Sequence, residues 1–271
     1  KELVDRGDEA TSGVGEHPTD EWCAESEPPE ARWGIGTPVA PSELVAQAER
    51  MGCRSIAYTY TEPTIFYELA LTTAQLASAA GLGNIFVTNG FISLGPLREI
   101  APYLGAANID LKSFRDSYYK KLCGGRLEPV LAAIREYKKL GVWIELTTLL
   151  IPGLNDDESE LRDIVRFIKN ELSEDVPWHI SRFFPAYKME HWQETPIRSL
   201  LRAREIGQEE GLRYVYLGNV PQEEGAENTI CSGCGTVVIR RWGLTMVENR
   251  LRAGRCQDCS QFVAGRWAIG D

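Results

Sequence analysis

The sequence has no long hydrophobic run, no excess of positive charge and no export-signal pattern. No apolar stretch approaches the ~20 residues that a membrane-spanning helix needs, so we expect a cytoplasmic protein with no membrane segment. The 271 residues include 29 Lys and Arg against 39 Asp and Glu, and the net charge of −10 disfavours a general nucleic-acid binder. The first residue is Lys rather than Met, so the natural amino terminus need not be included.

The first 40 residues lack a periodic apolar pattern. They contain 3 basic and 10 acidic side chains and are rich in Gly, Pro, Ser and Thr. Low hydrophobicity combined with high charge cannot offset the entropy of ordering a chain. We therefore predict an irregular acidic lead-in over residues 1–40.

From residue 41 onward, strand-like and helix-like segments alternate. The strands are predicted at residues 55–60, 84–88, 107–111, 142–150, 177–184 and 213–217, and the helices at 42–52, 64–80, 93–104, 126–140, 156–172 and 196–210. Ser42 is a plausible cap of the first helix. Strict alternation with short connections predicts right-handed βαβ units and a parallel sheet over residues 41–222, either open or a partial barrel. The apolar runs indicate burial on both faces.

Polar residues lie at the same end of successive strands, where α/β folds place their sites. We predict a shared binding site made by Glu62, Thr88, Asn89, Gly90, Asp110, Lys112, Thr148, Asn155 and His179. Asp110 and Lys112 alternate along one strand, so we expect a buried pair on one face.

Each of these residues also has a structural interpretation. Glu62 could interact with a helix dipole, and Asn89-Gly90 is a common turn pair. Asp110 and Lys112 could be a structural ion pair, Asn155 could only shape its loop, and His179 could be a core histidine. The sequence alone leaves these alternatives open.

Four cysteines near the end form two CxxC pairs. Cys231-Ser-Gly-Cys234 and Cys256-Gln-Asp-Cys259 are separated by 21 residues. Two such pairs place four thiolates around one zinc ion with no open position, which favours a structural zinc ribbon over residues 223–271. A disulfide pair or a redox CxxC motif is the alternative. We expect the arginines of this module to dock on the acidic body rather than to bind nucleic acid.

Several segments resemble radical S-adenosylmethionine (SAM) enzymes. The resemblance rests on the run from Cys53 to Glu68 and on Val87-Thr-Asn-Gly90, Asn108-Ile-Asp-Leu-Lys112, Leu150-Ile-Pro-Gly-Leu-Asn-Asp156 and Trp178-His-Ile-Ser-Arg-Phe-Phe-Pro185. With the terminal cysteine pairs, these segments are similar to the pyruvate formate-lyase activating enzyme-like branch, in particular the radical SAM component of the AmmeMemoRadiSam system.

The resemblance implies a partial (β/α)6 barrel that holds a [4Fe–4S] cluster and SAM. In the family, three cysteines of a CxxxCxxC loop bind the cluster, and one electron cleaves SAM to a 5′-deoxyadenosyl radical that abstracts hydrogen. The resemblance also implies that Glu62 meets the amino group of SAM. It further implies a reductant such as flavodoxin or ferredoxin, and a protein substrate or Memo-like partner.

The cluster motif is where this sequence departs from the family. The sequence has no CxxxCxxC, and the segment before the helix at 42–52 holds Cys23 alone. Cys23, Cys53 and Cys123 lie 30 and 70 residues apart, too far for a substitute loop.

Two explanations stay open: a fragment or mistranslated reading that lost the loop, or a degenerate relative. We therefore expect a truncated or inactive radical SAM enzyme. The alternatives are a non-catalytic scaffold with a SAM pocket and a zinc ribbon, or a lyase that forms a Schiff base at Lys112.

Overall fold

Six parallel strands, paired in chain order, form the main sheet of the computed structural model, which describes residues 39–220, 225–243 and 245–267. The strands are β1 (Ser55–Tyr58), β2 (Gly83–Thr88), β3 (Ala106–Asp110), β4 (Trp143–Leu150), β5 (Trp178–Arg182) and β6 (Val215–Gly218). The predicted α/β fold with a parallel sheet is confirmed. The predicted lead-in falls almost entirely outside the described residues, as does the predicted boundary at residues 222 and 223.

Helices follow the strands in regular alternation. They are α1 (Pro41–Arg50), α2 (Tyr67–Ala79), α3 (Leu94–Ile100), α4 (Asp116–Tyr118), α5 (Leu127–Lys139), α6 (Glu158–Phe167) and α7 (Ile197–Glu209). Helix α1 begins at Pro41, so Ser42 is not its cap; the backbone N–H of Ala40 donates to Glu43 Oε2 at 3.0 Å instead. Within the described part of the chain, none of the helices has the length and hydropathy needed to cross a bilayer.

The two faces of the sheet differ. Residues that point toward the helices are buried and form the core, including Phe86, Ile109, Leu146, Ile180 and Leu217. The alternate residues on the other face remain partly accessible. Right-handed crossovers between strands paired in chain order bring every helix onto the same face. The expectation that both faces are buried is therefore wrong, and the second face, here called the open face, carries the polar residues.

A buried amide connects the first two strands to the helices. Asn84 on β2 has no exposed surface, and its Oδ1 accepts a hydrogen bond from the Tyr58 hydroxyl at 2.9 Å. Its Nδ2 is 3.0 Å from the carbonyl oxygens of Ala74 and Tyr103 and from Ser78 Oγ. One side chain therefore joins β1, α2 and the turn before β3.

A small C-terminal module follows the main sheet. Its strands are β7 (Thr229–Ile230), β8 (Val237–Trp242), β9 (Thr245–Asn249), β10 (Leu251–Arg252) and β11 (Arg255–Cys256). The first three form an antiparallel sheet and the last two a hairpin. The core of this module contains Tyr214, Cys231, Val238, Cys256 and Val263, so two of the four cysteines are buried core residues.

We expect Asn84→Ala to lower the free energy of unfolding by about 2 to 4 kcal/mol, because it leaves several buried polar groups without a partner. Urea denaturation followed by circular dichroism would measure the change. Asn170→Ala is the matched control, since Asn170 is exposed and its replacement should change stability by no more than about 0.5 kcal/mol. A loss below about 1 kcal/mol at Asn84 would contradict the role of this amide.

Candidate functional site

The carboxylate of Glu62 spans the carboxyl ends of β1 and β2. Its Oε1 accepts a hydrogen bond from Thr88 Oγ1 at 2.7 Å, and its Oε2 accepts one from the Asn89 N–H at 2.8 Å. Thr64 Oγ1 also donates to Oε1, at 3.2 Å. The structure therefore brings together three residues that the sequence predicted as a site, at an edge that solvent reaches.

Gly90 fixes the turn that presents Asn89. Its φ of +74° is one that L side chains rarely adopt, and an added Cβ would lie 2.8 Å from Ile109 Cγ2 and 3.1 Å from Val130 Cγ1. The Gly90 N–H donates to Thr88 Oγ1 at 3.1 Å. The turn interpretation and the site interpretation are thus compatible, because the tight turn is what directs the Asn89 N–H to Glu62.

Asp110 and Lys112 form an ion pair after β3. Lys112 Nζ lies 2.8 Å from Asp110 Oδ2, and the two side chains are 38% and 35% exposed for Asp110 and Lys112 respectively. The expectation of a buried pair is wrong, because β3 ends at Asp110 and the chain then emerges at the solvent-facing edge. An exposed pair of this kind contributes at most about 1 kcal/mol, so a ligand can compete for either partner at little cost.

Thr148 and Asn155 lie beneath this edge rather than at it. Neither has exposed surface. Thr148 Oγ1 donates to the Leu111 carbonyl at 2.8 Å and accepts from Trp178 Nε1 at 3.0 Å, while Asn155 Nδ2 donates to the Lys112 carbonyl at 2.7 Å. This placement does not support direct ligand contact. It makes both side chains positioning residues for the backbone that carries Lys112.

His179 lies on the open face, away from Glu62. Register pairs it with Thr147, which pairs with Asp110. Two strand spacings therefore separate His179 from Asp110, about 10 Å. Its Nε2 is 2.7 Å from Glu145 Oε2, and its ring stacks on Tyr216 with centroids 5.1 Å apart. It is accordingly a residue of the open face and not a core histidine.

Sequence reasoning missed three residues of the open face: Asn108, Glu145 and Tyr216. Burial alone would raise the pKa of Glu145, but hydrogen bonds from His179 and Trp143, together with the charge of Arg241, hold that pKa below its usual value. Asn108 Oδ1 accepts from Thr147 Oγ1 at 2.8 Å. On β4, Glu145 and Thr147 alternate with the buried residues Ile144 and Leu146, and this alternation could have predicted that Glu145 lies on the open face.

The four C-terminal cysteines converge on one point. Their sulfur atoms all lie within 4.8 Å of one another, with Cys231 and Cys259 at 3.5 Å and Cys234 and Cys256 at 3.7 Å. Bonds of about 2.3 Å from a tetrahedral zinc ion place sulfurs about 3.8 Å apart, whereas a disulfide joins them at about 2.05 Å. The arrangement suits a single metal ion held by four thiolates.

No comparable group fits an iron–sulfur cluster elsewhere in the described residues. Cys53 precedes β1 and Cys123 follows β3, so they lie toward opposite ends of the sheet. Cys23 is outside the described residues. Within the described ranges, the C-terminal thiols are the one set of His, Cys, Asp and Glu side chains gathered closely enough to hold a metal ion.

The fold and the polar edge define an α/β protein whose candidate ligand site lies at the carboxyl ends of a parallel sheet. The family model described as the Radical SAM superfamily matches residues 21–168, more than half of the chain. The chain therefore belongs to the radical SAM superfamily.

Relatives and solved structures agree with this assignment. An uncharacterized protein of Methanocaldococcus jannaschii is 42% identical over 227 residues, which cover 83% of this chain and 67% of that protein. A GTP 3′,8-cyclase of Peptoclostridium acidaminophilum is 32% identical over 137 residues, 49% of this chain and 42% of the cyclase. A crystallised domain of pyruvate-formate lyase-activating enzyme from Bacteroides vulgatus shares the fold at 19% identity, with a TM-score of 0.53, and covers 61% of this chain and 99% of that domain.

We expect Gly90→Ala to destabilise the protein by about 3 kcal/mol or more, because the new methyl group adds a clash to an unfavourable φ. Gly124→Ala is the matched control: Gly124 has a φ of +66° but no atom within 4 Å of an added Cβ, so it reports the backbone cost alone, about 1 to 2 kcal/mol. Thermal unfolding of both variants would measure the difference. Equal losses would show that the contact with Ile109 is unimportant.

Proposed function

We propose that this chain is the SAM-binding part of a radical SAM enzyme of the activating-enzyme type, similar to the AmmeMemoRadiSam component, and that it binds SAM at the edge formed by Glu62, Thr88, Asn89, Asp110 and Lys112. The observation that supports this most is the Glu62 carboxylate, which follows β1 and is held in place by hydrogen bonds from Thr88 and Asn89 at the end of β2. A fixed carboxylate suits the ammonium group of SAM, since a charge-assisted hydrogen bond is short and strong.

The remaining edge residues complement this contact. Lys112 offers an ammonium group to a carboxylate ligand, and Asp110 offers acceptors to hydroxyl or amino groups. Thr148 and Asn155 hold the backbone beneath them. In the superfamily, bound SAM supplies a 5′-deoxyadenosyl group for hydrogen abstraction once an iron–sulfur cluster donates an electron.

We assign SAM binding, and not its cleavage, to this chain. The described residues outside the C-terminal module supply no cluster ligands, and CxxxCxxC is absent from the sequence. The ion pair between Lys112 and Asp110 disfavours the Schiff-base lyase, because a lysine nucleophile must be neutral to attack a carbonyl. A protein substrate or Memo-like partner and a flavodoxin or ferredoxin reductant stay predictions from the resemblance.

We also propose that the C-terminal module is a structural zinc ribbon. The four sulfurs leave no open position for a substrate. Two of its arginines contact groups of this chain: Arg250 pairs with Asp258 at 2.8 Å within the module, and the Arg241 guanidinium lies 5.8 Å from the centroid of the Tyr216 ring on the main sheet. The contact of Arg241 with Tyr216 favours docking on the main sheet over nucleic-acid binding.

We expect Glu62→Gln to raise the SAM dissociation constant by about 10- to 100-fold, because the charged hydrogen bond to the ammonium group is worth about 1.5 to 3 kcal/mol. Isothermal titration calorimetry would measure it. Glu68→Gln, an exposed glutamate six residues on, is the control and should bind SAM normally.

Two results would contradict this proposal. One is equal SAM affinity in the Glu62 variant and the native protein. The other is release of 5′-deoxyadenosine by this chain after anaerobic reconstitution with iron and sulfide, which would show that cluster chemistry occurs without the CxxxCxxC loop.

We expect one zinc ion per chain by elemental analysis. Cys256→Ser should lower the metal content and the melting temperature together, since Cys256 belongs both to the thiol cluster and to the core of the module. Cys53→Ser, outside the module, should leave the zinc content unchanged. Full zinc binding by the Cys256 variant would rule out the four-thiolate site.

A further inference from the structure

A cavity of about 570 Å³ lies between the open face of the sheet and the C-terminal module. This volume is typical of small-molecule sites, which span about 300 to 1,000 Å³. Both parts of the protein supply walls: Glu145, His179 and Tyr216 from the sheet, and Arg241, Arg266 and Trp267 from the module. The site proposed for SAM uses none of these side chains.

A continuous series of contacts runs from the module to the sheet across this cavity. The Arg241 guanidinium lies 5.8 Å from the Tyr216 ring centroid, Tyr216 stacks on His179, and His179 Nε2 bonds to Glu145. Tyr216 Oη lies 3.0 Å from Thr229 Oγ1, which also accepts from Arg241 Nη1 at 2.9 Å. The imidazole is therefore fixed by the hydrogen bond between Nε2 and Glu145 and by the stacking of one ring face on Tyr216. Its second nitrogen, Nδ1, can make a hydrogen bond to a ligand.

The charges of the cavity indicate what it can hold. The Glu145 carboxylate is already offset by hydrogen bonds from His179 and Trp143. Arg241 contacts two neutral oxygens, the Glu227 carbonyl and Thr229 Oγ1. Among the described residues, no carboxylate lies within 4.0 Å of its guanidinium. Arg241 thus has no carboxylate at contact distance and acts on Glu145 only from further away, so its charge can pair with one anionic group of a ligand.

The aromatic side chains that line the cavity restrict the class of ligand that fits. Trp143, Tyr216 and Trp267 line the cavity, and aromatic walls favour flat rings through offset or edge contacts. A ligand with several phosphates would bring more negative charge than Arg241 and Arg266 can offset beside Glu145 and Glu227.

We propose that this cavity is a second ligand site, separate from the edge around Glu62, and that it takes a flat aromatic or heterocyclic monocarboxylate. Arg241 binds the carboxylate, and His179, oriented by Glu145, makes a hydrogen bond through Nδ1 to a polar group on the ring. Because the C-terminal module supplies Arg241, the site exists only when the module is docked. The inference does not depend on SAM binding.

The test compares indole-3-carboxylate with indole-3-carboxamide, which match in size and shape but differ in charge. Binding to the full, metal-loaded chain is measured by saturation-transfer difference NMR titration. We expect the carboxylate to bind at least 10-fold more tightly than the amide, and Arg241→Gln to remove that preference. Arg240→Gln is the matched control, because the adjacent Arg240 is exposed and pairs with Glu248.

A second variant keeps the test valid if Arg241→Gln undocks the module. His179→Phe keeps an aromatic ring against Tyr216 but removes Nδ1, so it should weaken the binding of both indoles several-fold, with unchanged SAM affinity. Equal binding of the two indoles, or no binding of either, would overturn the proposal. Competition between SAM and the carboxylate would also overturn it, since the two sites would then be one. Loss of SAM binding with the indole preference intact would instead refute only the function proposed for the edge.

Discussion

The parallel ladder between β1 and β2 is short, and the hydrogen bonds of the Glu62 carboxylate extend the contact between the two chain segments beyond it. The position of the candidate site depends on these hydrogen bonds. The ladder ends where Tyr58 pairs with Phe86, so β1 contributes only four residues. Glu62 then accepts hydrogen bonds from Thr88 and Asn89, which joins the two chain segments beyond the last ladder pair. The same carboxylate therefore joins the ends of β1 and β2 and is the group that we propose to bind SAM. Because its geometry is fixed before a ligand arrives, little ordering entropy is lost on binding.

The open face carries two separate groups of polar side chains, which lie on different strands. Glu62 and Asp110 lie at the carboxyl ends of the first three strands, while Glu145 and His179 lie on β4 and β5, and the register places His179 level with Asp110 through Thr147. Polar side chains are tolerated on this face because neighbours satisfy one another, as Thr147 does with Asn108. The module adds a wall over the region that contains Glu145 and His179. One sheet thus offers two environments, an accessible edge and a partly enclosed cavity.

Much of the fold followed from the sequence because each strand and helix carries its own local signal. The parallel sheet and the convergence of the four C-terminal cysteines were predicted from periodicity and spacing, both of which are local. Side-chain accessibility was harder, because it depends on which elements cover each face. The sequence predicts that Asp110 and Lys112 are buried, yet both side chains are partly exposed because β3 ends at Asp110. Thr148 is adjacent to Thr147 but points to the opposite face of the sheet. Residue type alone does not show which of the two threonines is buried. Tyr216 and Arg241 are brought together by the docking of the module, and no local pattern encodes that contact.

The cysteines of the module have a second role as packing residues. Cys231 and Cys256 share a core with Tyr214, and Tyr216, two residues further along the chain, packs against that core and stacks on His179. Peroxide that oxidises those thiols to sulfenic acid, and is itself reduced to water, would remove ligands of the proposed zinc site and place polar groups among buried side chains. The loss of packing would displace Tyr216 on β6 and, through it, the His179 imidazole. The large core between the sheet and the helices would keep its packing. Oxidation by peroxide would therefore disturb the enclosed cavity in a chain that still gives a normal helical spectrum.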